Sequence, residues 1–151
     1  MIAKSVFLSI LILQTVGCAT TGKECTPPVP PSDKVSELIV YRPSIRYSSN
    51  YDAPISIDDC IVGWLEDGAF IRYKIAAGTH KVRAEKRFLA AGGDAEISTA
   101  FALGETVYVR YALLPAGLLL IEGGKAGFAV TDKISAEKEL PALRDLAPAK
   151  N

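Results

Sequence analysis

Three side-chain types in this sequence could carry chemistry: one histidine, His80, a pair of adjacent carboxylates, Asp58 and Asp59, and three cysteines, Cys18, Cys25 and Cys60. A histidine beside a carboxylate is the core of a general-base site, so the natural enzyme reading is a hydrolase built on Asp58, Asp59 and His80. That reading lacks a nucleophile in the expected setting. No G-x-S-x-G elbow and no H-E-x-x-H helix are present. The competing expectation for His80 is a partly buried ring, bonded to backbone, on a face shared with Val82 and Ala84. For Asp58 and Asp59 it is a turn, since aspartate side chains bond local backbone there. Glu66, Asp67 and Gly68 read the same way. With one histidine and no C-x-x-C, no metal site is expected, and no EF-hand calcium loop is present. No cofactor and no catalytic residue are assigned.

Cys18 has a different setting. The chain opens with Lys4 and an apolar run from Val6 to Val16, broken by Ser9, Gln14 and Thr15. A membrane span needs about 20 apolar residues, so this run is too short to cross and fits the h-region of a secretory signal. Thr15, Val16, Gly17 and Cys18 resemble a bacterial lipobox. The resemblance implies cleavage after Gly17, a diacylglyceryl group on the Cys18 thiol and acylation (palmitate) of the new amine. Leu is usual at the Thr15 position. Two or three acyl chains would anchor the protein, at about 0.8 kcal/mol per buried CH₂. Ala19 stands where Asp would retain a lipoprotein at the inner membrane, which implies the outer membrane. The compartment is oxidising, so Cys25 and Cys60 read either as a disulfide or as two unpaired thiols.

Removal of residues 1–17 would leave 134 residues, with 16 basic and 17 acidic side chains. That length suits one domain. The near-zero charge shows no basic stripe, which argues against nucleic acid as a partner.

Residues 19–34 hold Pro27, Pro28, Pro30 and Pro31 and read as a tether. In polyproline II form, 16 such residues would reach roughly 50 Å. Residues 18–35 are therefore set apart as lipidated cysteine and linker, and residues 36–146 as the folded domain. Residues 147–151 are expected to fray.

Within the domain the apolar residues alternate with period two, as half-buried strands do. Leu38 and Val40 share a face, as do Ile55 and Ile57, Val62 and Trp64, Ile71, Tyr73 and Ile75, Val82 and Ala84. Ile97, Thr99, Phe101 and Leu103 form another set, then Val107, Val109, Tyr111 and Leu113, then Phe128 and Val130. Asp67 followed by Gly68 is a strong hairpin signal. Trp64 is expected in the core. Turn signals recur at sandwich spacing. The expected fold is all-β, an antiparallel β-sandwich of about 7–8 strands. A short C-terminal helix is expected, capped by Ser135 with Glu137 and Glu139 in its first turn and packed through Leu140 and Leu143, with Pro141 either ending it or starting a second one.

These residues also carry a family resemblance. VYRPS at 40–44, ISIDDCIVGWLEDGAFIRYKIAAGTHKV at 55–82 and TVYVRY at 106–111 resemble a family of small bacterial lipoproteins of unknown function. They are similar, too, to short β-sandwich modules with a P-E-G-A signature. Cys60 and Ile61 depart from the Gly-Lys type turn common there, and Ala77 replaces the usual Pro. The shared motifs are turn and core residues. They imply a fold, and they transfer no catalytic residue.

Two stretches suggest recognition. In residues 44–53, Arg46, Tyr47, Asn50 and Tyr51 are of the types that binding loops favour. In residues 113–124 an apolar run continues through Pro115 and Gly117. It reads either as a doubly buried strand over 118–121 or as an exposed tip bearing Leu118 and Leu119. The function expected is a non-enzymatic, membrane-anchored envelope module binding a protein or glycan. Alternatives are a periplasmic hydrolase and a small-ligand carrier, which would need an apolar cavity between the sheets.

Overall fold

The structure is a computed structural model that describes residues 23–24, 35–44, 52–85, 94–114 and 125–146. The described residues form ten strands: β1 Lys23–Glu24, β2 Val35–Arg42, β3 Ala53–Ile57, β4 Cys60–Leu65, β5 Ala69–Ala76, β6 Gly78–Ala84, β7 Ala95–Phe101, β8 Thr106–Leu114, β9 Lys125–Thr131 and β10 Arg144–Leu146. The helix α1, Lys133–Glu139, and a 3₁₀ turn, Leu140–Ala142, lie between β9 and β10. One sheet has the order β1-β4-β3-β6-β7, the other β10-β5-β2-β8-β9.

The chain is all-β with one short C-terminal helix, and its two sheets face one another across a shared core. Leu38, Val40, Ile71, Val107 and Val109 from one sheet meet Ile55, Ile57, Leu65, Val82 and Phe101 from the other. The alternation read from the sequence explains these contacts, because successive side chains leave opposite faces of a strand. The central strand β2 is buried on both faces. Its second face gives Ile39 and Tyr41, which join Phe70, Tyr108 and Ala136 under the helix, with Leu140 and Leu143 packed alongside. A strand covered on both sides carries an unbroken apolar run, here LIVY.

Several expectations need correcting. The sheets are mixed: β1 with β4, β2 with β8 and β10 with β5 pair in parallel. The linker expected over 18–35 contains β1 at Lys23–Glu24, held by the edge of β4. Asp67 and Gly68 do not close a hairpin, because β4 and β5 belong to different sheets; Gly68, at φ 65°, turns the chain between layers. Trp64 is 37% exposed while Val62 is buried. A bulge explains it: Ile55 pairs with Gly63 and Ser56 with Ile61, so Val62 is the extra residue and the alternation shifts by one. Gly63 and Leu65 then face inward and Trp64 outward. Leu103 lies beyond the end of β7, in the turn to β8, and Val130 is near the end of edge strand β9; both are exposed. The helix is capped by Asp132, which accepts the backbone N–H of Ser135 at 2.9 Å, and its first turn holds no acid. Glu139, instead, ends the helix and pairs with Arg110 of β8 at 2.9 Å.

The two ends of the sandwich differ. At one end lie the turn at Asp58 and Asp59, the β5–β6 connection, the β7–β8 turn and the starts of β2 and α1. The other end receives Arg42, Leu65, Ala84 and Leu114, the last residues of β2, β4, β6 and β8.

Candidate functional site

At the first end, Asp58 and Asp59 form a two-residue hairpin turn between β3 and β4, with φ of 48° and 68°. Such a turn needs positive φ at both central positions, and Asp tolerates it better than most residues. The Asp58 carboxylate does not bond locally, as expected for a turn aspartate. It reaches across to β6, where Oδ2 meets His80 Nδ1 at 2.6 Å and Oδ1 accepts the Lys81 N–H at 2.9 Å. In return Asp58 N–H donates to the Lys81 carbonyl at 2.9 Å. Burial alone would raise the Asp58 carboxyl, but the Lys81 N–H and the His80 ring outweigh it and hold it below its ordinary value.

The histidine and one of the two carboxylates therefore do meet. The other ring nitrogen decides what the pair can do. His80 Nε2 lies 3.1 Å from the Ala76 carbonyl oxygen, and the ring edge contacts Phe101 with centroids 5.7 Å apart. Both nitrogens face oxygen atoms of the protein, so the ring is fully engaged within this cluster. In this geometry no ring nitrogen is aimed at a substrate. Asp59 turns away to Lys81 Nζ at 3.4 Å. The cluster clasps the β3–β4 turn to the β5–β6 connection.

The opposite end holds a buried charge that composition and spacing do not announce. Arg42 is 2% exposed. It shares the inward face of β2 with Leu38 and Val40, and its guanidinium stands 5.8 Å from the Tyr111 ring centroid. Asp67 Oδ1 is 3.4 Å from Arg42 Nε, a charge contact without hydrogen-bond geometry, while Oδ2 accepts from Ser44 Oγ at 2.8 Å. Arg144 binds the same turn through Glu66 at 2.7 Å and donates its backbone N–H to the Gly68 carbonyl. The only sequence signal for Arg42 was its even position in β2, on the core face.

Arg46, Tyr47, Asn50, Tyr51, Leu118 and Leu119 lie outside the described residues, as do Cys18 and Cys25. Cys60 is disulfide-bonded. The only other cysteines in the chain are Cys18 and Cys25.

Between edge strands β7 and β9 runs an open groove of about 510 Å³, lined by Thr99, Glu105, Thr106, Tyr108, Val130 and Lys133 among others. Among the described residues no three His, Cys, Asp or Glu side chains gather as a metal site would require, and no helix is long and apolar enough to cross a membrane.

No protein-family model, no curated protein and no solved structure matches the chain.

Proposed function

We propose that the chain is an envelope lipoprotein of the small β-sandwich type that its motifs resemble: cut after Gly17, acylated on Cys18, and held at the periplasmic face of the outer membrane. Its domain is a non-enzymatic binding module for an envelope protein or glycan. The partner surface is formed by Arg46, Tyr47, Asn50 and Tyr51 together with Leu118 and Leu119. With the Cys18 thiol acylated, Cys25 is the partner of Cys60.

One observation carries the binding reading. Strands β2 and β8 are adjacent and parallel, with Tyr41 opposite Arg110. Arg42 and Leu114, the last residues of β2 and β8, therefore lie at the same end of the sandwich. There Arg42, Ser44 and Asp67 tie β2 to the β4–β5 turn. Sites on rigid elements hold their geometry better than isolated loops do.

The test is affinity capture from detergent-solubilised envelopes with the acylated protein as bait. A specific partner should be lost when Tyr47 and Tyr51 become Ala, with folding unchanged. Equal capture by the variant removes that segment from the surface. The mass of the mature N-terminal peptide tests the anchor, and an unmodified Cys18 overturns it.

A second reading, a hydrolase, is favoured by the 2.6 Å approach of Asp58 and His80. Against it stands the Ala76 carbonyl on Nε2. Turnover of an ester or amide substrate that vanishes in His80→Gln would revive it.

A further inference from the structure

We propose that the domain rests on the bilayer with its turn end down, Leu103 and Ile134 in contact with lipid. This deepens the lipoprotein reading and rests on it.

The chain direction of β1 is the first observation. Lys23 pairs with Cys60 and Glu24 with Ile61, in parallel. Strand β4 starts at the Asp58 and Asp59 turn and runs toward the other end, so β1 does the same. Lys23 is therefore the turn-end residue of β1. Cys18 is only five residues from Lys23, a reach of roughly 17 Å fully extended. The long spacer suggested by the prolines therefore does not separate anchor from fold, since those prolines follow β1 in the chain. The acyl chains must lie within that short reach of the Cys60 end of β4.

The second observation is what this end exposes. The large apolar side chains most exposed among the described residues are Leu103 at 61%, Val130 at 51% and Ile134 at 69%. Leu103 sits in the β7–β8 turn and Ile134 in the first turn of α1, both at the turn end, and Val130 is one residue from the end of β9. They lie on the side of the sandwich away from β1, which is the opposite edge of its sheet from β7. A lipid anchor under one edge and an apolar contact under the other would fix the tilt of the domain.

Charge sets the lipid chemistry. Lys81 pairs with Asp59, Lys133 with Glu137 and Asp58 with His80. Among the described residues the end thus offers paired charges around apolar tips and no cationic patch, which suits apolar insertion among phosphatidylethanolamine headgroups. Contact should survive high salt, unlike binding to anionic lipid by charge.

The experiment uses the acylated protein reconstituted into phosphatidylethanolamine vesicles containing a minority of phosphatidylglycerol. An environment-sensitive fluorophore is placed at Leu103→Cys, Ile134→Cys or, at the far end, Asp94→Cys. Spin-labelled lipids should quench the first two severalfold more than the third, at low and high salt alike. Leu103→Asp should weaken quenching at the Ile134 label while the protein still floats with vesicles. Equal quenching at all three positions would overturn the orientation with the anchor intact. A spectral shift that needs protein concentration and no lipid would also overturn it, by making the patch a contact between copies. Unmodified Cys18 with no flotation overturns the anchor and the orientation together.

Discussion

Oδ2 of Asp58 and Nδ1 of His80 stand 2.6 Å apart, joining a turn at one strand pair to the neighbouring strand. Because this bond and the Lys81 N–H lower the Asp58 pKa below its unfolded value, the carboxylate stabilises the fold above roughly pH 4. That contribution disappears as pH falls through the folded-state value. The side chain is 52% exposed, so solvent screening limits the effect, to a few tenths up to about 1 kcal/mol. Urea midpoints measured down the acid range should fall less steeply for Asp58→Asn than for wild type. Parallel acid limbs would show that the clasp does not contribute.

The same turn separates two adjacent aspartates by role. Both have positive φ, but only Asp58 bonds across the sheet; Asp59 has an exposed lysine contact at 3.4 Å. Asp59→Gly removes the left-handed penalty and little else, so it should be neutral or stabilising by up to about 1 kcal/mol. Asp58→Gly loses the clasp and should destabilise. Thermal melts of the two variants give the comparison, and equal effects would refute the division.

Arg42 and Asp67 are unequal partners. Arg42 is buried, whereas the Asp67 side chain keeps 26% exposure. Removing the carboxylate takes a charge contact away from a buried cation, at a cost of about 2 kcal/mol or more. Removing the cation with a side chain of similar volume strands only a partly solvated acid. Asp67→Ala should therefore lower stability more than Arg42→Met in chemical denaturation. The reverse order would mean that the guanidinium's contact with Tyr111 dominates.

Much of the fold was legible because period two survives wherever one face is buried. Leu38 and Val40, Ile71 and Ile75, and Val107 and Val109 all fill the core as their spacing requires. The failures have local causes. Trp64 was misassigned because a bulge at Val62 leaves no mark in composition. Asp67 and Gly68 read as a hairpin because a turn between sheets uses the same residues as a turn within one. The short strands β1 and β10 were missed because two or three residues carry no periodicity; both attach to edges of longer strands in parallel. At the candidate site, the types of Asp58 and His80 were visible but not their meeting, which spans 22 positions of sequence. Arg42 was hidden because charge argues for exposure and only its place in β2 argues against it.

Cys60 offers a test of what β1 contributes. Its disulfide closes the start of β4 to a cysteine near the N-terminus. Cys60→Ser should cost roughly 2–4 kcal/mol, with the loss larger than for a buried Cys→Ser change alone. Hydrogen exchange should quicken at the β4 amides beside β1 first. An unchanged melting temperature under reducing conditions would show that the bond constrains nothing that matters for folding.

The bulge makes its own prediction at Gly63. A Cβ built there would stand 3.0 Å from Ile71 Cδ1, closer than ordinary van der Waals contact. Ile71 is 2% exposed in the inter-sheet core, so its side chain has little room to yield. Gly63→Ala should therefore cost about 1–2 kcal/mol through overpacking. Ile71→Val removes the clashing methyl and alone costs about 0.5–1.5 kcal/mol. If the contact is the cause, the two changes are coupled: Gly63→Ala should cost distinctly less in the Ile71→Val background, because the space the new methyl needs is already open. A double-mutant cycle by urea denaturation reads the coupling directly. Additive losses would place the cost of Gly63→Ala in the bulged backbone instead of in the contact with Ile71.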